Sequence, residues 1–245
     1  MKYKLLVTSR SFGKLSDQPE KLLQEAGFEI INMGTDFQME RFETLLPEMD
    51  ALIIGAHDLR PELLDSCKKL RIICKHGVGM DNVPVEKANA CGITVTNAPG
   101  TNSQAVADVA FGLMLDVSRG ITHSANLAKQ GIHKQTVGLD VYGKTLGLLG
   151  FGRIGQAVAK RAQGFNMQVL AYDPYLEKAP AGLDVTVEEP VSPQNPLLQM
   201  DNVVVTDHIG MYSFEATSAV SMVCAEAVRD LFEGREPKNK VVYRP

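Results

Sequence analysis

A chain of 245 residues, 44% hydrophobic and 22% charged, has enough apolar material for one large or two small folded domains. A net charge of −4 without a basic cluster argues against a nucleic-acid partner, and the most apolar stretch, 105–115, is broken by Asp108 and too short to span a bilayer. The first residues read as a strand and not as a signal peptide, and Cys67, Cys74, Cys91 and Cys224 lack C-x-x-C or metal spacing, as expected of reduced, buried thiols in a cytoplasmic protein.

In chain order, short β-branched runs at 3–8, 29–32, 51–55, 71–75 and 94–96 predict strands. Between them, 20–26, 42–46, 61–67 and 85–90 predict helices. Such alternation implies an α/β fold, a parallel sheet with helices on both faces and a ligand crevice at the carboxyl ends of its strands. The loop Lys75-His76-Gly77-Val78-Gly79-Met80-Asp81-Asn82 lies at one such end, where its glycines expose amides suited to a carboxylate. Thr101-Asn102-Ser103-Gln104 has capping-box spacing and opens a helix to about Val117, apolar nearly all round and therefore covered on several sides. A last helix runs from Phe214 to Phe232 and stops at Gly234. The proline- and acid-rich stretch 177–196 reads as mostly irregular.

The most informative motif is Gly150-Phe151-Gly152-Arg153-Ile154-Gly155. A strand pattern precedes it, a helix former follows it, and a second strand pattern at 167–172 ends on Asp173, 18 residues after the last glycine. This context is the one that makes G-x-G-x-x-G a dinucleotide site, the alternative being a glycine-rich turn in some other α/β protein. Gly150 permits the turn, Gly152 admits a pyrophosphate to the backbone, and Gly155 lets helix and strand pack closely. The helix start, with Arg153 and Ile154, faces the phosphates. Asp173 accepts from the ribose hydroxyls and repels a 2′-phosphate, so NAD is preferred to NADP.

These motifs, with Asn97-Ala98-Pro99-Gly100-Thr101-Asn102-Ser103, Ala181-Gly182-Leu183-Asp184-Val185, Glu188-Glu189-Pro190 and Val205-Thr206-Asp207-His208-Ile209-Gly210, resemble the D-isomer-specific 2-hydroxyacid dehydrogenases, phosphoglycerate dehydrogenase-like members in particular, over nearly the whole chain. The resemblance implies a flavodoxin-like substrate domain, 1–99 with 212–245, and a Rossmann-type NAD-binding domain, 100–211. It implies reversible hydride transfer between NAD and C2 of a 2-hydroxy acid, with 3-phosphoglycerate one option, and a homodimer. His208, which alone reads as a structural strand-end histidine, matches the general acid/base, and Glu189 matches the carboxylate that orients it. Val78 and Gly79 match the amides holding the substrate carboxylate, with Lys75 and Asn102 beside the substrate. Asp184 matches the carboxamide ligand, and Gly210 belongs to the cofactor side. Lys75 has two readings, contact with a phosphate or second carboxylate, or a surface lysine beside a strand end. His57, His76, His123 and His133 read as structural or surface residues.

The departures concern catalysis. The family's arginine, in a stretch like Asn-Thr-Ala-Arg-Gly, is absent, and lysine does not reproduce its bidentate grip. Asp207 stands where proline is usual, and His133 where tryptophan is common. Pro174 to Pro180 leave seven residues between Asp173 and Ala181, whereas a parallel crossover needs a dozen or more. The missing piece amounts to roughly sixty residues, two β–α units. A natural or engineered deletion is the preferred explanation; docking of 181–210 onto another subunit, or a segment absent from this sequence, are the others. The expected function is an impaired NAD-dependent dehydrogenase. The alternatives are a silent NAD-binding sensor or scaffold, and a deletion product that keeps only the flavodoxin-like domain.

Overall fold

The structure, a computed structural model, describes residues 2–172 and 211–243; expectations for Asp173, Asp184, Glu189, His208, Gly210 and the irregular stretch 177–196 lie outside the described residues. The described chain forms two compact units, one running through Thr101 and resuming at Phe214, the other starting at Asn102.

The first unit is built on a sheet of β1 (Tyr3–Val7), β2 (Phe28–Asn32), β3 (Ala51–Ile54), β4 (Ile72–Lys75), β5 (Thr94–Thr96) and β8 (Lys240–Val241). The order is β2-β1-β3-β4-β5-β8, parallel except for antiparallel β8. This is the flavodoxin-like doubly wound order with one added edge strand. Leu5, Leu6, Val7 and all four residues of β3 are fully buried, because a parallel strand covered on both faces must be apolar on both. Around the sheet stand α1 (Gln18–Glu25), α2 (Met39–Leu45), α3 (Val85–Ala90) and α7 (Phe214–Phe232). The 61–67 segment is a 3₁₀ turn, Pro61–Asp65, and not the expected helix. Helix α7 returns the chain to this unit by burying Ala216, Val220, Cys224 and Val228 at helical spacing. Its last residue, Phe232, packs edge-on against Tyr3 and Phe28, with Arg71 above its ring.

The second unit comprises α4 (Ser103–Arg119), α5 (Ile121–Lys129), β6 (Thr145–Leu149), α6 (Arg153–Gln163) and β7 (Gln168–Tyr172). Strands β6 and β7 pair in parallel, Thr145 with Gln168 through Leu149 with Tyr172. One face of this pair packs Leu148 against Ala107 and Phe111 of α4 and Ala157, Val158 and Ala162 of α6. Leu149 and Leu170 are instead 46% and 47% exposed.

Two local expectations are corrected. Thr101 does not cap α4: its hydroxyl donates to Ala98 O, and Asn102 takes the N-cap position without a side-chain bond. Cys91 is exposed, unlike Cys67, Cys74 and Cys224. Helix α5 is an added element. Gly120 ends α4 in the left-handed conformation, and Asp116 reaches past it to accept from Thr122 N and Oγ1 at 2.6 and 2.5 Å.

Candidate functional site

In the second unit, the turn from β6 to α6 is shaped by three glycines with different duties. Gly150 has φ +92°, a conformation that side chains resist. A Cβ on Gly155 would sit 2.3 Å from Gly150 O, so the start of the helix lies directly on the turn. At Gly152 a Cβ would meet nothing within 4 Å, and its φ of −68° and ψ of −163° suit any residue. Neither the fold nor the backbone therefore demands glycine there. The first capping bond of α6 runs from Gln156 N to Gly152 O, and the amides of Arg153, Ile154 and Gly155 have no backbone partner among the described residues. A glycine with no described atom above it, followed by three N–H groups without a backbone partner among the described residues, fits a pyrophosphate. Arg153 and Ile154 are exposed beside it.

In the first unit, β3 and β4 end side by side, Ile54 opposite Lys75. Lys75 is not a surface lysine. Its Nζ donates to Gly55 O at 2.9 Å and to Asn82 Oδ1 at 2.6 Å, and burial lowers its pKa against the opposing pull of Asp81 and Asp58. The chain then turns through Gly77, φ +154°, to exposed Val78 and Gly79. Asn97 Nδ2 fixes this turn by donating to Val78 O at 2.8 Å. The Val78 and Gly79 amides donate to no described group, which leaves a two-amide anion cradle.

Two histidines brace this edge. His57 lies against Phe37 and Phe42, ring centroids 4.1 and 4.8 Å away, and burial, then the Lys75 charge, lowers its pKa to about 4. His76 is 4% exposed, with Nε2 2.8 Å from Ser221 Oγ. Ser221 gives its single proton to Thr217 O, so His76 must donate from Nε2, leaving Nδ1 bare and unpartnered. Burial lowers this pKa to about 4 as well, against the opposing pull of a backbone hydrogen bond and with help from the Lys75 charge.

Lys75, Val78 and Gly79 thus share one loop of the first unit, and Gly150, Gly152, Arg153, Ile154 and Gly155 one turn of the second. Asn102, half-buried, starts the second unit at the N-cap of α4. Sequence patterning did not single out Asn82, whose signal was only its place in the Lys75 loop. Among the described residues, no three His, Cys, Asp or Glu side chains gather as a metal site. No described helix is long and apolar enough to cross a membrane.

A flavodoxin-like sheet joined to a β–α–β element with a glycine fingerprint defines a two-unit α/β protein with mostly parallel strands. Residues 6–242 match the model of the D-isomer specific 2-hydroxyacid dehydrogenase catalytic domain, and the chain belongs to that family. It is similar to a D-3-phosphoglycerate dehydrogenase of Methanocaldococcus jannaschii, 29% identical over 316 residues that take in 97% of this chain and 59% of that protein. A glyoxylate reductase of Korarchaeum cryptofilum is 30% identical over 275 residues, 79% of this chain and 83% of that one. Among solved structures, the TT0316 protein from Thermus thermophilus superposes with a TM-score of 0.87 at 29% identity, covering 98% of this chain and all of that one. The chain spans about three-fifths of the length of the M. jannaschii and Archaeoglobus fulgidus phosphoglycerate dehydrogenases it matches. Since 97% of 245 residues is about 238, about 78 of the 316 aligned positions face no residue of this chain. The glyoxylate reductase alignment gives about 81 by the same reckoning.

Proposed function

We propose that this chain binds NAD at the 150–155 turn and the carboxylate of a small 2-hydroxy or 2-oxo acid at the Lys75–Gly79 loop, with dehydrogenase turnover weak or lost. The supporting observation is Gly152, a glycine that the fold does not need and a pyrophosphate does. The unit with the flavodoxin-like sheet serves as the substrate domain and the other as the cofactor domain. Asp173, next after β7 in the sequence, bonds the ribose hydroxyls, and Asp184 and Gly210 complete the cofactor side. Bound NAD supplies a hydride acceptor or donor for C2 of the acid. The amides of Val78 and Gly79, with Lys75 on the same loop, hold and orient the acid, and Asn102 is the further substrate-binding residue that the family resemblance implies. His208 holds the proton of the substrate hydroxyl, and Glu189 keeps its ring oriented. The bidentate arginine grip is absent from the sequence, which removes the polarisation of the reacting carbonyl. The named activities of the relatives, on phosphoglycerate, glyoxylate and hydroxypyruvate, bound the substrate class.

Calorimetric titration with NAD and initial rates with D-glycerate, glycolate and 3-phosphoglycerate test this reading. Binding without appreciable turnover is expected. Turnover at about 10 s⁻¹, ordinary for an enzyme, would show that another group replaces the arginine. Absence of NAD binding would leave only the substrate unit functional.

The second unit also supports a homodimer. Val137 and Leu139 are 96% and 75% exposed, and Ile121 and Ile132 of the same unit are exposed as well. Sedimentation should give a dimer that Leu139→Asp dissociates; a monomeric parent chain would refute it.

A further inference from the structure

The chemistry proposed above assigns no part to Asn82, yet its amide is engaged on both sides. Oδ1 accepts from Lys75 Nζ at 2.6 Å, and Nδ2 donates to Gly55 O at 3.0 Å and to His57 O at 2.6 Å. Gly55 O also takes the second Lys75 bond, at 2.9 Å. One side chain therefore ties the exit of β3 to the cation at the end of β4.

Lysine usually carries a solvated point charge on a flexible stem. Here the ammonium is fixed by two acceptors, and both are neutral. A carboxylate in Asn82's place would cancel the charge, whereas an amide and a carbonyl orient it and leave it intact. An ammonium has three N–H groups, and the third goes to no described residue. The stem folds over the glycine turn: a Cβ on Gly77 would lie 3.5 Å from Lys75 Cε. That turn leads directly into the Val78 and Gly79 amides, which donate to no described group.

We infer that Asn82 is the positioning residue of the anion site. Acting through Lys75, it sets where the ammonium stands beside the Val78 and Gly79 amides, for the carboxylate of a 2-hydroxy or 2-oxo acid. This rests on the assignment of that loop to substrate binding.

The test uses the whole chain and the variants Lys75→Met, Asn82→Ala and their double, titrated with sodium D-glycerate while the amide resonances of Gly77, Val78 and Gly79 are followed. Each single variant should weaken binding about tenfold, the scale of one charge-assisted hydrogen bond. In the Lys75→Met background, Asn82→Ala should add less than about twofold, because the two act as one unit. The Nζ–H signal of Lys75, protected by its hydrogen bonds in the parent, should vanish in Asn82→Ala. Asn82→Asp retains an oxygen for Lys75 and should keep that signal, yet still lose affinity through charge cancellation. Undiminished affinity in Asn82→Ala or Asn82→Asp, or a full Asn82→Ala effect without Lys75, overturns the inference. A parent chain whose amides ignore D-glycerate instead defeats the substrate-site assignment, and the inference with it.

Discussion

Gly152 and Gly155 lie three residues apart, and alanine at each should have opposite consequences. At Gly155 the new methyl would stand 2.3 Å from a backbone oxygen. Ordinary C···O contacts begin near 3.3 Å, so helix and turn must part by about 1 Å. Overpacking of this kind costs about 1–3 kcal/mol, against which alanine's helix propensity returns at most about 1. The net loss, about 1 kcal/mol at the middle of that range, lowers the melting temperature of the second unit by roughly 4–8 °C. At Gly152 nothing is displaced. Restricting the unfolded chain stabilises by about 0.4–1 kcal/mol, and losing a glycine N-cap costs a similar amount, so the melting temperature should hardly move. NAD affinity should nevertheless fall about ten- to hundredfold, because the methyl keeps the pyrophosphate from one or more amides worth about 1.5–3 kcal/mol each. Scanning calorimetry and NAD titration of both variants separate the effects. A Gly152→Ala chain that binds NAD like its parent refutes the assignment of the turn, and a Gly155→Ala chain that melts like its parent refutes the packing argument.

Arg161, which bonds Asp108 Oδ1, Gln104 Oε1 and O, and Ala157 O, ties α6 to the first two turns of α4. Arg161→Ala should cost about 1–2 kcal/mol in urea, but Asp108→Asn under about 0.5, because that carboxylate is largely exposed; equal costs would contradict this partition. An aromatic disulfide reagent should meet one fast thiol, Cys91, and three that react only on unfolding, since burial raises the pKa of Cys67, pushes Cys74 up to about 12 and raises Cys224 further from reactivity. Two or more fast thiols would oppose it. For His76, a folded pKa of about 4 against 6.5 unfolded means that the unfolded state binds the proton first. Stability should be complete above pH 6.5 and fall between pH 6.5 and 4 by on the order of 3 kcal/mol; His76→Gln should lose that part of the pH dependence, and an unchanged urea-midpoint profile would refute it.

What was legible in the sequence was local. Strands buried on both faces read as apolar runs, and α3 and α7 have the bounds that their periodicity predicts. Helix α5 was illegible because it buries no residue, so it carries no apolar stripe, and its capping carboxylate, Asp116, belongs to the preceding helix. Strand β8 has two residues and exists through pairing with Val95 and Thr96, about 145 positions earlier. The site divides the same way. The glycine turn is contained in one β–α–β stretch and can be read from spacing alone. The inward bonds of Lys75 depend on the register of β3 with β4, and the tautomer of His76 on Ser221, 145 residues away.

That division bears on what the gap removes. The turn, its strand and its helix all lie within 145–172, so the absence of later β–α units would leave the proposed pyrophosphate cradle intact. The nicotinamide side of the proposed site is different: about 78 aligned positions of the phosphoglycerate dehydrogenase relative have no counterpart in this chain. Leu149 and Leu170 are exposed on the strand pair that such units would extend and cover. The cradle should therefore grip the ADP moiety and gain little from the nicotinamide. ADP-ribose and NAD are expected to bind within about threefold of each other, under about 0.7 kcal/mol. Competition between them in a single calorimetric series measures this directly. NAD tighter by about a hundredfold would mean that a complete nicotinamide pocket forms despite the gap, and the case for impaired turnover would then rest on the missing arginine alone.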